Sequence, residues 1–187
     1  MGRPKLLLPF GASTIVGSLV QALRAGGVSE IVLVIAPGDE ALRAWGETAR
    51  VRIAVNPDPE RGMLSSIVEG IAALGGAAEL ARRGVPLLVA PADLPALSPA
   101  TVSAVLRTAL AEAYPLAVAS YRGQRGHPLR ISPELIPEIE SLDLGIGLRE
   151  LLDRHPVREI EVDDPGAVRD VDTPEEYRSL FENSEPP

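Results

Sequence analysis

The 187-residue sequence contains no cysteine, two histidines and few aromatic residues: one tryptophan, three tyrosines and two phenylalanines. The absence of cysteine excludes disulfide bonds, iron–sulfur clusters and zinc sites built on thiolates. His127 and His155 are too few for a metal site made of histidine alone. Because aromatic residues are scarce, the core must be aliphatic, which is typical of a Val/Ile/Leu-rich sheet covered by Ala/Leu-rich helices.

Long apolar runs and a signal peptide are also absent, so we expect a cytoplasmic protein without a membrane partner. The net charge of −8 and the pI of about 4.8 argue against a nucleic-acid partner, because phosphate backbones select basic surfaces. A small polyanionic substrate is compatible with this charge if a few local cations or a metal ion offset it.

Lysine is almost absent as well. Lys5, in the segment Met1-Gly2-Arg3-Pro4-Lys5, is the only lysine, and every other cationic side chain apart from histidine is arginine. A lysine carries a compact ammonium group with three donors, which suits a crowded triphosphate better than the planar guanidinium of arginine. Taken alone, Lys5 is better explained as a surface residue near a terminus.

Short apolar runs alternate with segments of helical periodicity. The runs that we interpret as strands are Glu30–Ile35, Val51–Val55, Val85–Ala90, Leu116–Tyr121 and Val157–Val162. This alternation predicts a mostly parallel sheet in a three-layer α/β sandwich. The length favours one domain, residues 1–181, with a disordered tail over 182–187. Ligands of such sheets bind beyond the carboxyl ends of the strands, so the loops that follow strands should carry the site.

One such loop carries Asp93, between Pro91 and Pro95. The prolines fix the chain, and the following helix has its own capping residue at Ser98, so the carboxylate has no evident local role. We interpret Asp93 as a Mg²⁺ ligand, because Mg²⁺ typically takes one or two protein carboxylates together with substrate phosphates. The alternative is an ordinary acidic residue at a helix entry.

A second acidic loop contains Asp170 and Asp172. Helix capping explains Thr173 and the two glutamates that follow Pro174. It does not explain the aspartates, which are two residues apart and therefore share a face of an extended segment. Two carboxylates on one face repel each other unless a cation lies between them.

Two further loops contain polar residues. The loop from Asn56 to Ser66 includes Gly62 and Ser65 at a helix start, where amides and hydroxyls could hold a base, a sugar or a phosphate. A capped helix after a proline-rich loop explains that pattern about as well. The segment Arg125-Gly126-His127-Pro128 brings cations to a short polar loop and suggests a contact to an anionic substrate, although a structural turn is the alternative.

Together these segments resemble one family, the MobA-like nucleotidyltransferases, which make dinucleotide forms of the molybdenum cofactor. The matching segments, in family order, are RPKLLLPFG (Arg3–Gly11), the Asn56 and GMLSS pair (Gly62–Ser66), ADLP (Ala92–Pro95), GQRGHP (Gly123–Pro128) and DVDTPEEY (Asp170–Tyr177). The combination of PKLLLP and RGHP is more similar to the cytidylyl-transferring branch than to the guanylyl-transferring one.

The resemblance implies a Rossmann-like nucleotidyltransferase fold, Mg²⁺ as cofactor and an NTP substrate, with CTP favoured. It also implies site residues. The catalytic residues would be Lys5, Arg3 and Asp93, and the metal ligands Asp93 and Asp172. The nucleotide-binding residues would be Gly2, Lys5, Asn56, Gly62 and Ser65, and the acceptor-binding residues Arg125, Gly126 and His127.

The sequence departs from the family pattern at its start. The family has a first strand and a glycine-rich loop before the segment that matches Met1–Lys5. We therefore expect a sheet without its central first strand, with unpaired edges on the flanking strands and without the backbone amides that hold phosphates.

The implied reaction transfers CMP from the NTP to the terminal phosphate of molybdopterin and releases pyrophosphate, with a molybdoenzyme or a chaperone as a further partner. One alternative is a nucleotidyltransferase that acts on another phosphorylated acceptor, such as a sugar phosphate. The other is a non-catalytic nucleotide-binding protein, which the missing glycine-rich loop favours.

Overall fold

The computed structural model describes residues 4–109 and 114–182. The strands are β1 (Pro9–Phe10), β2 (Ser13–Thr14), β3 (Val32–Ile35), β4 (Arg52–Val55), β5 (Leu87–Val89), β6 (Leu116–Tyr121), β7 (Gln124–Ile131) and β8 (Val157–Glu161). The α-helices are α1 (Ile15–Ala25), α2 (Glu40–Ala49), α3 (Met63–Ala73), α4 (Ala77–Arg83), α5 (Pro99–Arg107), α6 (Ile136–Ile139), α7 (Arg149–Arg154) and α8 (Pro174–Glu182). Short 3-10 helices span Lys5–Leu7, Pro59–Arg61, Pro133–Leu135 and Pro165–Val168. The predicted site residues Gly2 and Arg3, and residues 183–187 of the predicted tail, lie outside the described residues.

Capping side chains determine where several helices begin. Thr14 Oγ1 accepts a hydrogen bond from the Gly17 amide at the start of α1, at 3.1 Å. Ser98 Oγ accepts one from the Thr101 amide at the start of α5, also at 3.1 Å. Each bond satisfies an amide that has no partner within the first helical turn. Since Ser98 caps α5, the carboxylate of Asp93 is not needed there, as the sequence predicts.

Helices cover both faces of the strands, which confirms the three-layer arrangement. One face packs α3, α4, α6 and α7 through buried residues such as Leu64 and Leu151. The opposite face packs α1, α2 and α5 through residues such as Val102. Adjacent residues of β6 divide between the layers, because Val118 joins the first cluster and Ala119 the second, as the alternating side chains of a strand require.

The strand pairing is mixed rather than mostly parallel. β3 and β4 form a parallel pair, and the second sheet has the order β5-β7-β6-β8. In this second sheet β6 and β8 are parallel, whereas β7 runs antiparallel to both β5 and β6. The predicted α/β class is confirmed, and the expected parallel sheet is corrected to mixed sheets within the described residues.

The strand responsible for this mixture, β7, is missing from the sequence-based prediction, which places a short polar loop at Arg125–Pro128. Gly126 and Pro128 disfavour a regular strand because one adds backbone freedom and the other lacks an amide donor. The structure accommodates them at an irregularity, where the register between β6 and β7 shifts between Val118 and Ser120 of β6.

A cleft of about 430 Å³ separates the two sheets and is lined by β3 on one side and β5 on the other. Within the described residues, neither strand has a pairing partner on its edge toward the cleft. The lining is largely apolar and includes Leu33, Leu88 and Ile67. At the amino ends of the strands, Glu30 and Arg83 form an ion pair of 3.3 Å between the two halves. These are the unpaired edges that the sequence leads us to expect.

No helix in the described parts of the chain is long and apolar enough to cross a membrane by itself. α3 and α4 meet such criteria of length and composition only when the two are taken together, and they are bent by 61° at the break between them.

We predict that a strand supplied on the N-terminal side of Lys5 fills the cleft. An extension with one continuous apolar strand and a short glycine-rich loop should raise Tm by about 5–10 °C, since burying the cleft and pairing two edges adds a few kcal/mol of stability. The matched control carries proline at the two central strand positions, which removes amide donors. Equal melting temperatures for both extended forms and the 187-residue chain would contradict the prediction.

Candidate active site

Three charged side chains from distant parts of the chain meet beyond the carboxyl end of β5. Lys5 Nζ donates to Asp93 Oδ2 at 2.7 Å and to Asp172 Oδ1 at 2.9 Å. Asp93 lies in the loop after β5, Asp172 lies two residues before α8, and Lys5 begins the first 3-10 helix. The structure therefore brings the two predicted metal-binding acids together, and it places the predicted phosphate-binding lysine between them.

Backbone contacts hold the two acidic loops in register. The Val171 amide donates to the carbonyl oxygen of Asp93 at 3.1 Å, so the residue next to Asp172 is tied to the loop of Asp93. Glu176 accepts from the amides of Asp172 and Thr173 at 2.9 and 2.7 Å. These backbone hydrogen bonds lower the pKa of Glu176. The capping interpretation is thus correct for Thr173 and Glu176, and it leaves the Asp172 carboxylate free to bind Lys5.

The two acids keep Lys5 positively charged. Partial burial of the ammonium lowers the pKa of Lys5, but the hydrogen bonds and the charges of Asp93 and Asp172 outweigh this effect and raise the pKa above 10.5. Each carboxylate faces a full positive charge near neutral pH. The cation that the structure shows between the two carboxylates is the Lys5 ammonium.

A divalent metal fits this pair of acids. The donors are carboxylate oxygens, which hard cations prefer, and the Lys5 ammonium marks a position that both can reach. Within the described ranges there is no group of three or more His, Cys, Asp or Glu side chains arranged for a metal. Two carboxylates suit Mg²⁺ or Mn²⁺ when substrate phosphates and water complete the coordination. The metal role of Asp93 and Asp172 remains a prediction.

The predicted nucleotide-binding loop is held by its own side chains. The buried Asn56 donates to Ser65 Oγ at 2.8 Å and to Ser66 Oγ at 3.0 Å, and it accepts from the Asp58 amide at 3.0 Å. Ser65 Oγ donates to the Gly62 carbonyl at 2.7 Å. Gly62 has a φ of 86°, which a side chain would strain. Asn56, Gly62 and Ser65 thus shape the loop, and their contact with a nucleotide stays a prediction.

This loop borders a cavity of about 230 Å³, to which Asp58 and Arg61 contribute from one side and Leu142 and Leu144 from the other. Arg61 supplies a cation that sequence reasoning missed, since a lone arginine in a proline-rich loop gives no distinct signal. The larger cleft between the sheets reaches Ala92 but is not lined by Lys5, Asp93 or Asp172. The charged cluster therefore lies beside the apolar cleft rather than inside it.

The predicted acceptor residues all lie on β7, and the structure gives two of them protein partners. Arg125 Nε donates to Glu159 Oε1 on β8 at 2.8 Å, so its charge is paired. A side chain at Gly126 would collide with the Ala167 carbonyl, so glycine at this position lets the 3-10 helix Pro165–Val168 pack on β7. Their contact with an acceptor remains a prediction.

His127 is the predicted acceptor residue whose pKa is affected by the nearby acids. Burial lowers the pKa of His127 below 6.5, while the Val89 backbone and the charges of Asp170 and Asp93 act in the opposite direction. Its Nδ1 atom is shut off from solvent. The ring is therefore neutral at pH 7 and lies within the electrostatic reach of Asp93.

Asp164 organises the loop that carries Asp93, although sequence reasoning did not identify it. This buried carboxylate accepts from the Ser98 amide at 2.9 Å and from Thr101 Oγ1 at 2.6 Å. It also accepts from the Gly166 amide at 2.9 Å. A side chain at Gly166 would collide with the Ala96 carbonyl, so the two loops touch through backbone. An Asp-Asp-Pro sequence is typical of an exposed turn, so the sequence does not indicate that Asp164 is buried and hydrogen-bonded to distant residues.

The lowered pKa of His127 predicts a stability change in mildly acidic solution. The unfolded chain protonates this histidine at about pH 6.5, and the folded protein does so at lower pH, so falling pH favours the unfolded state. The His127→Gln variant should show a smaller fall in Tm between about pH 7.5 and 5.5. Thermal denaturation of both proteins across this range measures the difference, and parallel pH profiles would contradict it.

Two relatives match nearly the whole chain. One is nicotine blue oxidoreductase of Paenarthrobacter nicotinovorans, 34% identical over 190 residues, which cover 96% of this chain and 90% of that protein. The other is purine catabolism protein PucB of Bacillus subtilis (strain 168), 29% identical over 188 residues, which cover 95% and 87%.

Solved structures show the same fold. Rv0371c from Mycobacterium tuberculosis H37Rv matches with a TM-score of 0.77 and 30% identity, covering 97% of this chain and 90% of that chain. Its complex with manganese matches with a TM-score of 0.75 and 29% identity, covering 97% and 94%. The MobA-like NTP transferase domain family matches residues 1–160. This match spans most of the chain, including Lys5 and Asp93, and agrees with the α/β fold, so the chain belongs to the MobA-like NTP transferase family.

Proposed function

We propose that this protein is a cytoplasmic nucleotidyltransferase that moves CMP from CTP to the terminal phosphate of molybdopterin and releases pyrophosphate. The observation that carries this proposal is the meeting of Lys5 with Asp93 and Asp172 beyond the carboxyl end of β5. A lysine that can turn toward phosphates, next to two acids that can hold a divalent cation, is the equipment for phosphoryl chemistry. Membership of an NTP transferase family supports the same reaction class.

The reaction is an in-line displacement at the α-phosphorus of the nucleotide. An oxygen of the acceptor phosphate forms a new P–O bond, and the bond between the α-phosphorus and the bridging oxygen to the β-phosphate breaks. The electron pair of that bond leaves with pyrophosphate. The acceptor phosphate is ionised near neutral pH, so no strong general base is required. This agrees with a site whose nearest histidine, His127, is largely buried.

The residues of the chain would orient the two substrates and neutralise the negative charge of their phosphates. Lys5 would contact the phosphates of the nucleotide, with Arg3 as a further cation, and Gly2 would offer its amide. A divalent cation held by Asp93 and Asp172 supplies charge neutralisation when bound, with Mg²⁺ as the proposed ion. The manganese complex of Rv0371c supports the use of a divalent metal. Asn56, Gly62 and Ser65 would form the nucleotide side of the site.

The choice of CTP and molybdopterin rests on the family resemblance of PKLLLP and RGHP. On the acceptor side, His127 and Arg125 flank Gly126 on β7, and the field of Asp93 reaches His127. We place the acceptor phosphate near this histidine. A molybdoenzyme or its chaperone would receive the product.

Other functions are distinguishable by assay. A sugar phosphate or another phosphorylated compound could replace molybdopterin as acceptor, and a protein that binds nucleotides without turnover would release no pyrophosphate. The name of the relative with 34% identity describes an oxidoreductase acting on nicotine blue. Redox turnover of nicotine blue therefore belongs in the same assay panel.

The first test measures pyrophosphate release with each NTP, Mg²⁺ or Mn²⁺, and each phosphorylated acceptor. We expect release with CTP and molybdopterin, and a fall of at least about 100-fold in kcat/KM for Asp93→Asn, because the metal site loses a charge. The exposed Asp163→Asn variant is the control and should retain activity. Pyrophosphate release with another acceptor but not with molybdopterin would overturn the proposed substrate. A complete lack of pyrophosphate release under all these conditions would overturn the proposed transferase activity.

A second test addresses the acceptor side. The His127→Ala variant should raise KM for the acceptor about five- to tenfold and leave KM for CTP within about twofold, because the histidine faces one substrate. Steady-state kinetics with each substrate varied in turn measures the two constants. Unchanged constants for both substrates would reduce His127 to a structural residue of β7.

A further inference from the structure

The ammonium of Lys5 lies where a shared metal ion would lie. Its nitrogen is 2.7 Å from Asp93 Oδ2 and 2.9 Å from Asp172 Oδ1. Asp93 and Asp172 would also be the residues that hold a Mg²⁺ ion, so the ammonium and the metal would use the same two carboxylates. An ammonium and a divalent cation cannot share that space, both because of their volumes and because of their like charges.

The three groups differ in their freedom to move. The loop of Asp93 is tied to Val171 through the backbone, and the Asp172 amide is held by Glu176. The side chain of Lys5 is 39% exposed, and its ammonium lies at the end of a flexible four-carbon chain. The backbone beside it is anchored by Leu6 and Leu7, which pack against the core. Rearrangement of this site can therefore move the lysine ammonium while the backbones of the two acidic loops stay in place.

We infer that Lys5 and a divalent cation compete for one position between Asp93 and Asp172, and that the phosphates of a nucleotide decide the competition by drawing the ammonium away. A triphosphate offers Lys5 a stronger partner than two carboxylates, and it completes the coordination of the metal at the same time. Nucleotide and metal binding are thus coupled, and each raises the affinity of the protein for the other. This inference rests on the metal site of the proposed function and adds its regulation.

The principal test is a titration with Mn²⁺ alone, followed by the paramagnetic resonance signal of the free ion. We expect Lys5→Met to bind Mn²⁺ at least about tenfold more tightly than the unaltered protein, because it lacks the competing charge. Lys5→Arg keeps the charge and should bind about as weakly as the unaltered protein. Adding Asp172→Asn to Lys5→Met should abolish the gain, which assigns the metal to this site.

Two results overturn the inference. One is a Lys5→Met protein that binds Mn²⁺ no more tightly than the unaltered chain. The other is an equal gain in Lys5→Arg, since removal of charge would then not be the cause. Lys5→Gln is the second neutral variant, and it replaces Lys5→Met if thermal denaturation shows that the methionine variant does not fold.

A second measurement uses the fact that Lys5 is the only lysine in the sequence. Reductive methylation with ¹³C-formaldehyde gives one lysine signal, which reports the environment of this ammonium. Saturating Mg²⁺, or a non-hydrolysable CTP analogue in the presence of a chelator, should each shift that signal. A purely structural lysine would leave it unchanged under both conditions, which would overturn the competition.

These experiments involve no turnover, so their outcome is separate from that of the transfer assay. If Lys5 and the metal compete but no pyrophosphate is released, the competition is supported and the proposed reaction is rejected. If CMP is transferred but Lys5 and the metal do not compete, the proposed reaction is supported and the competition is rejected.

Discussion

The repulsion between two carboxylates is the constraint on which the arrangement of the site depends. Asp93 and Asp172 belong to loops that pack together through their backbones, so the backbones of the two acids stay close to each other. A cation between them offsets this repulsion. Lys5 supplies this cation. In the sequence it is 88 residues from Asp93 and 167 residues from Asp172, so its two hydrogen bonds join the beginning, the middle and the end of the chain.

The approach of the two acids could be predicted because their positions carry physical information. Each follows the apolar segments of an α/β chain, and neither is needed as a helix cap. The role of Thr173 and Glu176 could also be read from the sequence, because capping depends on residues three positions apart. The position of Lys5 between the acids could not be predicted, since the family resemblance implies a phosphate-binding lysine and says nothing of its contacts with Asp93 and Asp172.

Other features were hidden because tertiary contacts override local preference. β7 contains glycine and proline, which locally disfavour a strand, yet it pairs with strands on both sides. The shift in register between β6 and β7 accommodates these two residues. Asp164 lies in a segment typical of an exposed turn, and only its distant partners Ser98 and Thr101 show that it is buried. Asn56 and Ser65 are site residues only by prediction, while the hydrogen-bond network that holds them depends on the fold of the whole loop.

The cleft between β3 and β5 has a consequence for how this protein associates with itself. Unpaired strand edges recruit strands from neighbouring molecules and so promote aggregation. Here both edges lie between helices, because Leu23 of α1 and Ile71 of α3 line the same cleft. A foreign strand can reach the edges only when those helices separate. Self-association should therefore follow thermal loosening of the helical layers more closely than protein concentration, and the folded protein should remain dispersed while the layers stay closed.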